Sequence, residues 1–137
     1  MSIHAVFDTN VWISGLMWHG DPYRCLSLAR AGVVQLAYCP PMAAELAEKL
    51  RTKFRYSEHE IRAVIYELHR IAARIEITGQ VKAVVADPDD DKFIECAMVA
   101  GANIVVSADG HLLDLAQYQN IRILSASDFL VKVDRAV

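Results

Sequence analysis

The 137-residue sequence is poor in the residues that interrupt folding, with only six Gly and four Pro, and no stretch is polar enough to stay disordered. This argues against a flexible linker or a low-complexity tail, so residues 1–137 are expected to form one folded unit. The three cysteines, Cys25, Cys39 and Cys96, are odd in number and widely spaced. That pattern fits neither a disulfide framework nor the paired CxxC spacing of a zinc site, and the three read as reduced, buried residues. Every apolar run is broken by Asp, Arg or Glu before reaching the ~18 residues a spanning helix needs. The first residues also lack a basic patch leading into an apolar segment, so the expected location is the cytoplasm, away from membranes. Nor is there a basic excess: 14 Lys and Arg stand against 17 Asp and Glu, a net charge of −3. A module gripping nucleic acid by blanket positive charge is disfavoured, whereas an enzyme with its acids gathered in one site is not.

What the sequence does have is apolar residues, 54% of the chain, in short alternating patterns. Ile3 to Phe7 is β-branched and apolar and stops at Asp8-Thr9-Asn10, which predicts a buried strand and then a turn. Asp21 as N-cap, Pro22 at the first position and Gly32 beyond the end predict a helix over 22–31. A strand over 33–39 follows, and Pro40-Pro41 opens a helix with Met42, Leu46 and Leu50 as its buried stripe. Ser57 and Glu60 match a capping box for a helix whose apolar period runs from Ile61 through Leu68 and Ala72 to Ile75. Short apolar segments lie at 75–77 and 81–86. An apolar helix over 92–100 stops at Gly101, a strand covers 103–107, a helix runs through Gln117, a strand covers 121–124, and Ser125 to Asp128 caps a final helix. Strands alternating with helices predict a three-layer α/β/α sandwich with a mostly parallel central sheet.

In such a sheet the loops leaving the carboxyl ends of the strands share one edge, where ligands bind. Asp8, Glu45, Asp91 and Asp109 reach that edge from four separate segments. Carboxylates crowded together repel unless protons or a cation intervene, and oxygen donors without a convergent His or Cys suit Mg²⁺ or Mn²⁺. A hard divalent ion with waters left in its shell supports hydrolysis of a phosphodiester. Each acid also has a structural reading. Asp8-Thr9-Asn10 is a possible turn, Glu45 a rim residue beside a packing stripe, and Asp87, Asp89 and Asp90 a cap and first-turn charges. Asp91 and Glu95, four apart on one helix, are like charges that need compensation.

Asp8-Thr9-Asn10-Val11, Glu45-Leu46, the run Asp87-Pro88-Asp89-Asp90-Asp91-Lys92-Phe93-Ile94-Glu95-Cys96-Ala97, and Val106-Ser107-Ala108-Asp109 before Leu112-Leu113 together resemble the PIN domain family. They look most like its bacterial branch of toxin components of toxin–antitoxin systems. The resemblance spans nearly the whole chain and implies a single PIN domain over 1–137 with a Rossmann-like fold. It also implies Mg²⁺- or Mn²⁺-dependent endoribonuclease activity, homodimers, and inhibition by a cognate antitoxin protein. Carried across, the catalytic and metal-binding acids are Asp8, Glu45, Asp91 and Asp109, with Asn10 and Ser107 as supporting polar groups. By the same resemblance Asp91, directly ahead of the apolar helix, is the ligand rather than Asp89 or Asp90.

Two positions depart from the family pattern. Gly110 and His111 stand where relatives carry a basic residue and a second Asp, so a fifth acidic contact is not expected. His111 reads either as a solvated loop residue or as a phosphate or metal contact. That departure also supports an alternative, a catalytically impaired RNA- or protein-binding module. A phosphatase with an aspartyl nucleophile is disfavoured because Asn10, not Asp, stands two residues after Asp8.

Overall fold

The computed structural model describes residues 3–136. Strand β1 (Ile3–Phe7) lies near the middle of a six-stranded sheet of order β3-β2-β1-β4-β6-β5. Its neighbours are β2 (Val34–Tyr38) and β4 (Ile104–Val106), both parallel to it, with Ala5 opposite Leu36 on one side and Ile104 on the other. Strands β3 (Ala72–Arg74) and β6 (Ile121–Leu124) extend the parallel set, and only the edge strand β5 (Gln117–Tyr118) runs antiparallel. Where the central strands are buried on both faces they are apolar: Ala5, Val6, Phe7, Ile104, Val105 and Val106 are all almost fully buried.

Among the described residues seven helices connect and flank the strands: α1 (Thr9–Met17), α2 (Asp21–Arg30), α3 (Pro40–Thr52), α4 (Glu58–Ile71), α5 (Asp91–Ala100), α6 (Gly110–Leu115) and α7 (Ala126–Ala136). The fold is the expected α/β architecture, a mostly parallel sheet flanked by helices. Met42, Leu46 and Leu50 form the buried stripe of α3, and Ser57 and Glu60 close the capping box of α4. Gly101 ends α5 with φ of 74°, the left-handed conformation that glycine adopts without steric cost. Cys25, Cys39 and Cys96 are free and buried.

Several local details differ from the sequence expectation. The expected turn at Asp8-Thr9-Asn10 is instead the start of α1, because the Asp8 carboxylate caps that helix by accepting the Val11 N–H at 2.9 Å. Helix α4 ends at Ile71, and Ala72 to Arg74 pair with Leu36 to Tyr38 as β3; pairing with the sheet overrides a helical pattern that continues to Ile75. The short apolar segments at 75–77 and 81–86 both lie in a stretch, 75–87, without regular structure. Gln117, read as helical, belongs to β5. Helix α2 starts one residue early, at Asp21, with Gly20 as its N-cap.

Gly15 is where α1 and α2 meet. A Cβ there would stand 2.5 Å from Leu26 Cδ1 and 3.0 Å from the Pro22 carbonyl oxygen. Leu26 is fully buried and has little room to move. Gly15→Ala is therefore expected to lower stability by about 1–3 kcal/mol through overpacking, despite the helix propensity of Ala, as measured by urea unfolding.

Candidate metal centre

The carboxyl ends of β1 and β4 deliver the first acids. Asp8 follows Phe7 directly, and its backbone N–H is held by the Val106 carbonyl at 2.9 Å, which continues the β1–β4 pairing by one residue. One carboxylate oxygen caps α1. The other accepts the Ser107 hydroxyl and, at 3.3 Å, the Ala108 N–H. Ser107 Oγ in turn accepts the Asp109 N–H at 2.9 Å, so this one hydroxyl positions both acids. Asp109 caps α6 through Oδ1, which accepts the N–H groups of His111 at 2.8 Å and Leu112 at 3.2 Å. Ser107, expected as a supporting polar group, lies between the Asp8 carboxylate and the Asp109 backbone.

The third acid comes from the short 3₁₀ turn Pro88–Asp90 that leads into α5. Asp87 caps this turn by accepting the Asp89 N–H at 3.2 Å, and Asp90 ends it with only 8% of its surface exposed. Asp90 Oδ2 is buried with no hydrogen-bond partner among the described residues. Ligand atoms of Asp87, Asp90, Asp109 and His111 all lie within 4.8 Å of one another. A cleft of about 190 Å³ opens beside them, lined by Asp8, Thr9, Asn10, Glu45, Lys49, Asp87, Asp89, Asp90, Phe93 and Asp109.

Of the four acids expected at the site, the fold brings together Asp8, Glu45 and Asp109, with Asn10 at the rim, but not Asp91. The Asp91 carboxylate turns away and accepts the backbone N–H groups of Ala83 at 2.9 Å and Val84 at 2.7 Å. Glu95, one turn on, accepts the N–H and hydroxyl of Thr78 and the Gly79 N–H. These donors compensate the like-charge pair of α5, and the two acids clasp the irregular segment ahead of Asp87. It is Asp90 that lies beside Asp87 and Asp109. The signal for it is the core stripe of α5: Phe93, Ile94 and Ala97 are three, four and seven residues beyond Asp90, so extending the buried face one turn back reaches Asp90. Asp87, read from the sequence as a cap, and His111, read either as a solvated residue or as a phosphate or metal contact, are further members of the cluster.

Glu45 is in the cleft but already partnered. Thr9 donates its hydroxyl to Oε1, Lys92 Nζ stands 2.9 Å from Oε2, and Lys49 Nζ lies 4.0 Å from Oε1. Burial alone would raise the Glu45 pKa, but these donors and positive charges outweigh it and hold the carboxyl below its ordinary range. The other acids behave oppositely. Burial raises the Asp8 pKa against the opposing hydrogen bonds from Ser107, Val11 and Ala108. Burial, then the charges of Asp109 and Asp87, and a hydrogen bond that the protonated carboxyl donates to Asp109, push Asp90 up to about 7. A cation among Asp87, Asp90 and Asp109 would satisfy the orphaned oxygen and relieve the repulsion, so the donor set fits a divalent metal.

Two substitutions separate the neighbouring aspartates. Asp91→Ala leaves two buried N–H groups unpaired and is expected to lower stability by about 2–4 kcal/mol. Asp90→Asn is expected to do the reverse in metal-free protein. Asp90 loses its proton near ~4 when unfolded and at about 7 when folded. Its contribution to stability therefore falls as pH rises from ~4 to about 7. Asn cannot ionise, so the variant is more stable than the parent at pH 8, and that advantage disappears below pH ~4. Urea unfolding across this pH range, with chelator present, measures both effects.

No curated protein sequence matches the chain significantly. Among solved structures, the fold is similar to a chain in the crystal structure of VapBC2 from Rickettsia felis bound to a DNA fragment from their promoter. The TM-score is 0.61 over 90% of this chain and 98% of that one, and the 14% sequence identity makes this a likeness of fold. No helix among the described residues is long and apolar enough to cross a membrane. At the level of sequence, the PIN domain matches residues 4–111, a span that contains every acid of the cleft, and the chain belongs to the PIN domain family.

Proposed function

We propose that this protein is a metal-dependent endoribonuclease that hydrolyses RNA phosphodiester bonds. The observation that carries the reading is the buried, unpartnered oxygen of Asp90 beside Asp87 and Asp109, a concentration of negative charge that a cation completes. Family membership supports the nuclease chemistry. Asp90 and Asp109 would hold the ion, with Asp8 beside them, and this replaces the set of Asp8, Glu45, Asp91 and Asp109 expected from the sequence. A divalent ion such as Mg²⁺ or Mn²⁺ supplies charge neutralisation of the phosphodiester and activation of water.

The chain's own groups do the rest. Ser107 fixes the Asp8 and Asp109 carboxylates relative to one another, and the α1 cap prevents Asp8 from rotating. Lys49 lines the cleft, 3.4 Å from Asn10 Oδ1, and presents an ammonium where a phosphate backbone approaches the acids. Lys92 pairs with Glu45 and keeps that carboxylate ionised at the rim. Glu45 serves to position Lys49 and Lys92 rather than to bind metal.

The biological reading is a toxin of a toxin–antitoxin pair, acting in the cytoplasm as one PIN domain, as a homodimer, and held inactive by a cognate antitoxin protein. The family resemblance and the fold shared with a chain of the VapBC2 structure support this reading. A catalytically impaired binding module is the second reading, favoured by Gly110-His111 in place of the family pattern.

Cleavage of a labelled single-stranded RNA, with Mg²⁺ or Mn²⁺ and with chelator, tests the activity. Metal-dependent cleavage is expected, with Asp8→Asn, Asp90→Asn and Asp109→Asn each slowing it by at least about 100-fold, of the order seen when a charge-stabilising group is removed. Asp91→Asn, in protein shown to be folded, is expected to keep most of the rate. Metal binding without cleavage would favour the binding module.

A further inference from the structure

His111 is the one donor of the cluster that an all-carboxylate site lacks. It occupies the first turn of α6, where the Asp109 carboxylate accepts its backbone N–H at 2.8 Å, so one cap fixes the positions of both residues. Its ring Nδ1 stands 3.9 Å from Asp87 Oδ2 and 4.0 Å from Asp109 Oδ1. These separations are too long for hydrogen bonds. They are within the reach of a shared ion: with metal–ligand bonds of roughly 2.1 Å, two donors lie roughly 3.0 Å apart when adjacent and roughly 4.2 Å when opposite, so binding draws at least one of the two carboxylates closer to the ring. The second, independent observation is Asp90, a member of the same cluster that is more than nine-tenths buried and whose Oδ2 has no hydrogen-bond partner among the described residues.

We propose that His111 Nδ1 is a metal ligand together with Asp87, Asp90 and Asp109, and that the resident ion is a first-row transition ion, represented by Mn²⁺, in preference to Mg²⁺. This rests on the reading that the cleft holds a divalent cation. Mg²⁺ favours oxygen donors and water, and dehydrates reluctantly. An imidazole nitrogen among carboxylates raises affinity for transition ions without a matching gain for Mg²⁺. The mixed donor set therefore selects by ligand type, where four oxygen donors would leave abundance to decide.

Mn²⁺ binding to the full chain, followed by electron paramagnetic resonance, tests this without reference to activity. The parent protein is expected to bind Mn²⁺ with a nitrogen coupling in the pulsed spectrum. His111→Gln should lose that coupling and bind Mn²⁺ about tenfold or more weakly. His111→Asp should keep an ion site but let Mg²⁺ displace Mn²⁺ at about tenfold lower concentration. His59→Gln, on the exposed face of α4, should change nothing. Bound Mn²⁺ without nitrogen coupling, with unchanged affinity in His111→Gln, overturns the ligand role and leaves the metal site standing. No Mn²⁺ binding by the parent overturns the metal site as well.

Discussion

Repulsion among carboxylates at one edge of the sheet is the constraint on which the rest of the site depends. Asp90 is buried between the charges of Asp87 and Asp109, with one oxygen unpartnered and its pKa pushed up to about 7. A fold gains nothing in stability from this arrangement, since each buried like charge raises the cost of the others. The surrounding hydrogen bonds are what make it tolerable. Asp8 is held by a helix cap and a hydroxyl, Asp109 by a second cap, and Asp87 by the turn it begins. Stability lost at the centre is offset by rigid local geometry, as expected where a site is preorganised for a ligand.

Not every acid near this edge belongs to the site, and hydrogen-bond partners sort them. Asp91 and Glu95 accept backbone N–H groups of residues 78–84 and turn an irregular segment into a fixed support for Asp87. Glu45 is neutralised by Lys92, Lys49 and Thr9. Among the described residues, the buried oxygen left without a donor is Asp90 Oδ2. Composition alone, with its slight acidity, does not reveal this: the acidic excess resides partly in clasps and partly in the cleft.

The parallel sheet could be read from the sequence because strands buried on both faces need continuous apolar residues, as in Ala5-Val6-Phe7 and Ile104-Val105-Val106. The capping box at Ser57 and the glycine stop at Gly101 were equally direct, being local chemistry. Two elements were hidden by competing local signals. Asp8-Thr9-Asn10 has turn composition, yet Asp8 serves as a helix cap; Ala72-Ala73-Arg74 continues a helical period, yet pairing with β2 draws it into the sheet. Asp8, Glu45 and Asp109, which the sequence places on one edge from separate segments, all line the cleft, and so do Asp89 and Asp90, whereas Asp91 turns to the Ala83 and Val84 N–H groups. A helix turns about 100° per residue, so consecutive side chains point in different directions. The phase of that run is carried by the core stripe of α5 and not by any one of its three aspartates.

The central claim is that the cleft is a cation site organised about Asp90. A crystal soaked in a manganese salt, with the ion located by its anomalous scattering, tests this most directly. The account predicts an ion within coordination distance of Asp90 and Asp109, with Asp91 still bound to the Ala83 and Val84 N–H groups. An ion coordinated by Asp91 in place of Asp90, or a cleft that takes up no ion at saturating manganese, would contradict it.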